Sequence, residues 1–226
     1  MDWKAYWNQE AGKSDPHAQV ARIGGQAVIH DQMLREIAAR VAERLSLKSQ
    51  DHLLDVCCGN GRLSQEFLSY CAQLTGVDLS EEQIARAQAI TLANTRFVVG
   101  EASQLGLVLA ERYDHAVLYF SFQYLERFDL ARQALAAMKD VLKPGGKIFL
   151  GDVPEKERLS VFYPSLIDRF KYHLNLRLGR SLMGRFWSLP ELVQMADSLD
   201  MRIERLAQPG HFPYAHYRAD FVLSEK

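Results

Sequence analysis

Residues Leu53-Leu54-Asp55-Val56-Cys57-Cys58-Gly59-Asn60-Gly61-Arg62-Leu63 read as a buried strand that turns at two glycines and passes at once into a helix. Glycine has no Cβ, so the chain at Gly59 and Gly61 can bend sharply and bring bare main chain against a ligand. The helix that starts there points its first amide groups at whatever is bound. A second strand follows and ends in Gly76-Val77-Asp78-Leu79-Ser80. Asp78 thus stands about 20 residues beyond Asp55, the interval at which an acid meets the hydroxyls of a ribose. A carboxylate accepting two hydroxyl hydrogen bonds is a charge-assisted, geometrically selective contact. The stretch predicts a nucleoside site across the tips of two strands.

The same residues speak against a dinucleotide. Its fingerprint asks for glycine at the positions of Cys57, Gly59 and Arg62, the third so that the helix can pack closely on the strand. Arg62 cannot do that, so a nicotinamide dehydrogenase ranks last among the readings.

Outward from this stretch, strands and helices alternate, which predicts a mostly parallel sheet covered on both faces. Residues 27–46 have helical apolar spacing, and a further helix is predicted over 62–71. Ser80 and Gln83 have the spacing of a capping box that opens the next helix. Strands are predicted at 96–100, 113–120 and 147–153. The helix across 130–142 is stopped by Lys143-Pro144-Gly145-Gly146. Ser188-Leu189-Pro190-Glu191 gives a second capping-box spacing, for a helix through Leu199. Strands near 202–207 and 217–223 follow. Two segments fall outside this plan, an N-terminal arm (1–26) and an insertion (154–187), in what is otherwise expected to be one domain over 1–226.

The motifs together resemble those of class I S-adenosylmethionine-dependent methyltransferases. The first motif of that family, Asp-x-Gly-x-Gly-x-Gly, matches at Asp55, Gly59 and Gly61, with Cys57 in place of its first glycine. A slight change in loop path is expected there. Gly100-Glu101-Ala102, Tyr113–Tyr119 and Leu142–Gly146 match further segments in order, so that the resemblance covers about residues 40–153. It implies a Rossmann-like three-layer α/β/α sandwich with a seven-stranded, mostly parallel sheet and an antiparallel last strand. It also implies the cofactor S-adenosyl-L-methionine, bound by Asp55, Cys57, Gly59, Asn60, Gly61, Asp78, Leu79, Glu101, Ala102 and Tyr119. Asp78 falls on the ribose-binding acid, and Glu101 on the residue beside the adenine amine. Related enzymes often carry a histidine where Gln123 stands, so Gln123 is expected to position rather than to act as a base. The expected activity is methyl transfer to a small-molecule acceptor through an O, N or C nucleophile. The alternatives are an RNA methyltransferase and a non-catalytic cofactor-binding subunit.

Composition narrows the partners. A formal charge of −1, from 27 basic and 28 acidic residues, gives no whole-chain attraction to nucleic acid or to a membrane. No apolar run nears the ~18 residues that span a bilayer, and the first residues lack the apolar core of a signal peptide. Cys57, Cys58 and Cys71 form no disulfide or zinc pattern, so a reduced, cytoplasmic setting is the expectation, with no metal and no membrane partner. His211, with Tyr214 beside it in the connection between the last two strands, is the first choice for catalysis. The insertion sets Lys156, Arg158, Arg169, Lys171, Arg177, Arg180 and Arg185 against Glu155, Glu157 and Asp168, with aromatics between. It reads equally as a solvated lid or as a clamp on an anionic, phosphate- or carboxylate-bearing acceptor. In the arm, Trp3, Tyr6 and Trp7 can latch over the site, with Gln19 and Arg22 reaching the methionine carboxylate. A helix docked elsewhere on the domain is the simpler expectation.

Overall fold

Alternate residues of β1 (His52–Val56) serve opposite cores. Leu54 and Val56 join one apolar cluster and Leu53 the other, as side chains on successive strand residues must. The computed structural model describes residues 1–20, 23–24, 27–90 and 92–226. Parallel to β1 run β2 (Gln73–Asp78) on one side and β4 (Tyr113–Tyr119) on the other. With β3 (Thr95–Val99), β5 (Leu142–Pro154), β6 (Met201–Ala207) and β7 (Arg218–Glu225) they form a seven-stranded sheet of order 3-2-1-4-5-7-6. Strand β7 lies antiparallel to both β5 and β6. The chain leaves β1 to build one half of the sheet and returns to β4 to build the other. That reversal opens a crevice at the carboxyl ends of β1 and β4, where open α/β sheets bind ligands.

Helices cover both faces. On one lie α3 (Asp31–Leu45), α4 (Arg62–Phe67) and α5 (Glu81–Gln88), and on the other α6 (Phe128–Asp140) and α9 (Leu189–Ser198). Helix α3 buries Leu34, Ile37, Ala38, Val41 and Leu45 at helical spacing. It begins at Asp31, capped by His30, and not at residue 27, because Ala27–Val28 is extended and pairs with Ile23–Gly24. Helix α4 stops at Phe67, short of residue 71. Apolar spacing continues there, but no proline or glycine marks the end, so periodicity alone overruns it. Ser188 and Glu191 make both bonds of the expected capping box. Ser80 makes only half of one. Its hydroxyl accepts from the Gln83 amide, while its own N–H is taken by Asp78 and the Gln83 side chain is used elsewhere.

The segment 154–187 is ordered by α7 (Leu159–Phe162) and α8 (Leu166–Arg177). It packs through Leu159, Tyr172 and Phe186 onto Tyr217. A buried polar knot ties β5 to β7 beneath it. The ladder slips between Leu150 and Val153, leaving Asp152 at φ +61° with an N–H that the Asp220 carboxylate accepts at 3.0 Å. Arg218 donates to the Asp152 carboxylate at 2.7 Å, and Arg40 of α3 to Asp220 at 3.1 Å. Removing one partner of such a pair leaves an uncompensated buried charge. Arg218→Met should therefore lower stability by about 3–5 kcal/mol in urea denaturation; a loss below about 1 kcal/mol would show that the knot is not structural.

Candidate functional site

Asp78 ends β2, and burial strips it of water without giving it a cation. Its side chain is 6% exposed. One oxygen accepts from the Gly59 N–H at 2.8 Å and the other from the Ser80 N–H at 2.9 Å. Among the described residues no lysine, arginine or histidine pairs with it. Burial raises its pKa to about 6 even though the backbone donors of Ser80, Gly59 and Leu79 pull the other way. An ionised carboxylate offers about four acceptor sites, so two backbone bonds leave it able to accept more.

The loop that supplies the Gly59 N–H is shaped by left-handed backbone. Gly59 lies at φ +56° and Gly61 at +75°. Cys57 adopts +60°, the region that glycine enters freely and other residues enter at a cost of about 1–2 kcal/mol. The loop thus makes the turn a glycine would make, and the expected change in path is replaced by local strain. Asp55, Asn60 and Gly61 do not line the cleft. Asp55 accepts from the Ser64 hydroxyl at 2.6 Å beneath the loop. Asn60 donates to Pro16 O and to the Gln19 amide oxygen. Gly61 is the N-cap of α4, where a Cβ would press on Ala87 and Phe97. These three residues support the loop from behind. The cleft itself, about 1020 Å³ counting its open mouth, is lined by the other seven residues singled out from the sequence: Cys57, Gly59, Asp78, Leu79, Glu101, Ala102 and Tyr119. Both loop thiols are pushed well above the ordinary cysteine range, by burial first and then by Asp78 and Asp55, so neither is a thiolate nucleophile.

The arm is the part that sequence reading placed least well. Helix α1 (Trp3–Ala11) and α2 (Pro16–Gln19) lie on the cleft. The Ser80 hydroxyl donates to Asn8 at 2.6 Å, and Gln83 Nε2 to Gln19 O at 2.6 Å. Val20 crosses over Gly59, where a Cβ would stand 2.8 Å from it. Trp3 and Trp7 line the far end with Tyr124, the Trp3 and Tyr124 rings 4.5 Å apart. The latch, not the helix docked elsewhere, is what forms, through Trp3 and Trp7; Tyr6 packs edge-on against both and does not line the cleft. Gln19 does not face a methionine carboxylate. Its amide is consumed by Lys13 O and Asn60. Arg22 lies outside the described residues.

The catalytic pair read from the sequence is not brought to the cleft. His211 is a surface residue, its side chain 64% exposed, paired at 2.8 Å with Glu36 of α3. Tyr214 packs on Tyr217 under the Arg218 guanidinium. Both lie outside the lining, because the β6–β7 connection folds back over α3 and the polar knot. Gln123 is buried and donates to Phe120 O at 2.6 Å, which holds the turn after β4 where Phe120 sits at φ +66°. Among the described residues no lysine, arginine or histidine lines the cleft. None of the basic residues of 154–187 lines the cleft, so of the two readings of that segment the clamp is not formed in this structure; Arg158 and Arg185 pair with Glu155 and Glu191, and the others lie away from the cleft. Tyr124, half-buried at the far end, has its pKa raised to about 12, mainly by desolvation, so it is a hydroxyl donor at neutral pH. Among the described residues no group of three or more histidine, cysteine or acidic side chains could hold a metal ion.

Fold and site together define a Rossmann-like α/β domain with an aromatic chamber beside the buried Asp78 carboxylate. Residues 53–146 match a family described as a methyltransferase domain, and the chain has the class I methyltransferase fold. It is 30% identical over 149 residues to the O-methyltransferase resE of Aspergillus sclerotiorum, covering 60% of this chain and 53% of that protein. To a ubiquinone biosynthesis O-methyltransferase of Nitrosospira multiformis it is 25% identical over 162 residues, with 71% and 66% covered. The chain spans about half the length of the first curated relatives it matches. Among solved structures, the N-methyltransferase NodS of Bradyrhizobium japonicum in complex with S-adenosyl-L-homocysteine superposes with a TM-score of 0.68 at 16% identity, over 100% of this chain and 99% of that one. Magnesium protoporphyrin IX methyltransferase of Synechocystis gives 0.66 at 15%, over 99% and 98%.

The strain at Cys57 is testable. Cys57→Gly should leave affinity for S-adenosylhomocysteine within about twofold, whereas Cys57→Val should weaken it by about tenfold or more, because a β-branched residue resists φ > 0. Equal calorimetric affinity for the two variants would mean that the turn tolerates any side chain.

Proposed function

We propose that the chain transfers a methyl group from S-adenosyl-L-methionine to a small-molecule acceptor, acting as one domain with the arm as its cover. The observation that carries this reading is Asp78, a buried carboxylate with no cationic partner among the described residues, presented beside a glycine loop at the sheet's reversal point. Ribose hydroxyls would supply the donors that Asp78 lacks. Glu101 would stand by the adenine amine, with Leu79 and Ala102 against the ring. The Cys57–Gly59 main chain and Tyr119 would face the sulfur end. The residues therefore fit the cofactor. When bound, it supplies an electrophilic methyl on a positively charged sulfur.

The protein's task with so activated a donor is alignment and exclusion of water. Trp3, Trp7 and Tyr124 close the chamber in which an acceptor would lie, and the Tyr124 hydroxyl can donate a hydrogen bond to it. Among the described residues that lining has no cationic side chain, so the reading favours a neutral, aromatic or otherwise apolar acceptor over an anionic one. The described lining has no histidine either, so the acceptor atom would bring its own lone pair. The three free thiols suit the reduced, cytoplasmic setting that belongs to the same reading. No helix among the described residues is long and apolar enough to cross a membrane.

Calorimetry and methyl-transfer assays on a panel of neutral phenols and amines test this. Wild type should bind S-adenosylhomocysteine in the micromolar range. Asp78→Asn should weaken binding by about 1.5–3 kcal/mol, the worth of a hydrogen bond to a charged group. Unchanged affinity would refute the ribose assignment, and binding without turnover across the panel would reduce the chain to a cofactor-binding subunit. The pH dependence has a definite sign. In the ligand-free fold Asp78 is half protonated near pH 6, and hydroxyl donors need the anion. Affinity should hold above that point and fall by about tenfold between pH 7.5 and pH 5; a profile that improves on acidification would contradict it.

A further inference from the structure

Helix α8 carries one face that the fold does not use. Tyr172 is buried against Phe186 and Tyr217, with Leu176 packed beside it, and these anchor the helix on the domain. On the opposite side Leu166 is 76% exposed, Ile167 66%, Phe170 69%, Leu174 46% and Leu178 51%, with Leu182 following at 59%. Residues 166, 170, 174 and 178 repeat every four positions, so they form one continuous stripe. Scattered exposed leucines are ordinary, but a contiguous stripe marks a surface that meets something apolar.

The charges beside the stripe say what. Lys171 borders one edge, and Arg169 and Arg177 border the other, with Arg180 beyond the helix end. Among the described residues these cations make no ion pair, while the chain as a whole carries −1. A helix with an apolar face rimmed by lysine and arginine lies in the plane of a membrane interface, apolar side down, with its cations among anionic headgroups. Nucleic acid would use the cations and leave the leucines wet. A two-fold contact through this stripe would bring two positively charged rims together.

We propose that α8 docks this protein on the surface of an anionic lipid bilayer. Such docking asks for no spanning segment, so it is compatible with the absence of a long apolar helix among the described residues. It also sets the cleft beside the lipid. A Cβ on Gly179, at the end of this segment, would stand 3.1 Å from the Met1 amine, and α1 leads from there to Trp3 and Tyr124 in the chamber. An amphiphilic acceptor drawn from the bilayer follows as a corollary. That corollary rests on the methyl-transfer reading, whereas the docking does not.

Vesicle flotation of the full chain separates the two. Phosphatidylcholine vesicles containing phosphatidylglycerol should bind about tenfold or more tighter than phosphatidylcholine alone, and high salt should release most of the protein. The double variant Phe170→Asp, Leu174→Asp should lose vesicle binding while keeping wild-type calorimetric affinity for S-adenosylhomocysteine, which shows that the fold is intact. Lys171→Glu with Arg177→Glu should abolish the preference for the anionic lipid. No flotation with either lipid, or flotation unchanged by the double aspartate variant, would overturn the proposal. So would sedimentation showing a dimer that the same variant dissolves, since the stripe would then be covered by a second copy. Loss of cofactor binding in wild type with flotation intact would sink the methyl-transfer reading alone.

Discussion

One carboxylate organises the site. Asp78 is withdrawn from water at the tip of β2, and two of its acceptor positions are occupied by main-chain donors, Gly59 N–H at 2.8 Å and Ser80 N–H at 2.9 Å. The first of these bonds ties β2 to the loop after β1, and the second orients the start of α5. The first requires the loop backbone to come close, and the loop meets that need with Gly59 and Cys57 at positive φ. Burial without a cation keeps the carboxyl easy to protonate and eager for further donors. That is an unfavourable arrangement for a resting surface group and a favourable one for a group that takes up further donors, as the proposed ribose contact asks.

The arm belongs to the same construction. Asn8 accepts from Ser80, Gln19 bridges Asn60 and Gln83, and Val20 lies over Gly59. Each contact lands on the loop or on the helix that Asp78 orients, so cover and carboxylate are linked through a few polar bonds. Such bonds are worth about 1 kcal/mol each, weak enough individually for a cover that has to admit ligands. The far end of the chamber is closed by stacked and edge-on aromatic rings, which adapt to a flat or apolar guest more readily than a set of charges would.

Much of this was legible in the residues. The strand–glycine–helix stretch at 53–63 and the acid at Asp78 located the crevice, because the backbone conformations they require are local. The alternation of elements gave the sheet, and Ser188–Glu191 gave the start of α9. What failed was what depends on long-range packing. His211 and Tyr214 were attractive as a polar aromatic pair in a connection, yet their direction is set by α3 and the Arg218–Asp152 knot, which no spacing announces. Asp55, Asn60 and Gly61 share the motif with cleft residues but face the other way. The aromatic latch of Trp3, Trp7 and Tyr124 joins segments more than a hundred residues apart, and only the choice between two placements was available beforehand. The stripe on α8 was present in the sequence as leucines between arginines; its exposure was not, because helical spacing alone cannot say which of two apolar faces meets the core.

The most direct measurement is a carbon-13 NMR titration of the Asp78 side-chain carboxyl, with and without S-adenosylhomocysteine. The account requires a ligand-free midpoint near 6 that falls by about one unit or more when ligand hydroxyls donate to the carboxylate. An ordinary midpoint near 4 in the free protein, or a midpoint that does not move on saturation with ligand, would contradict it.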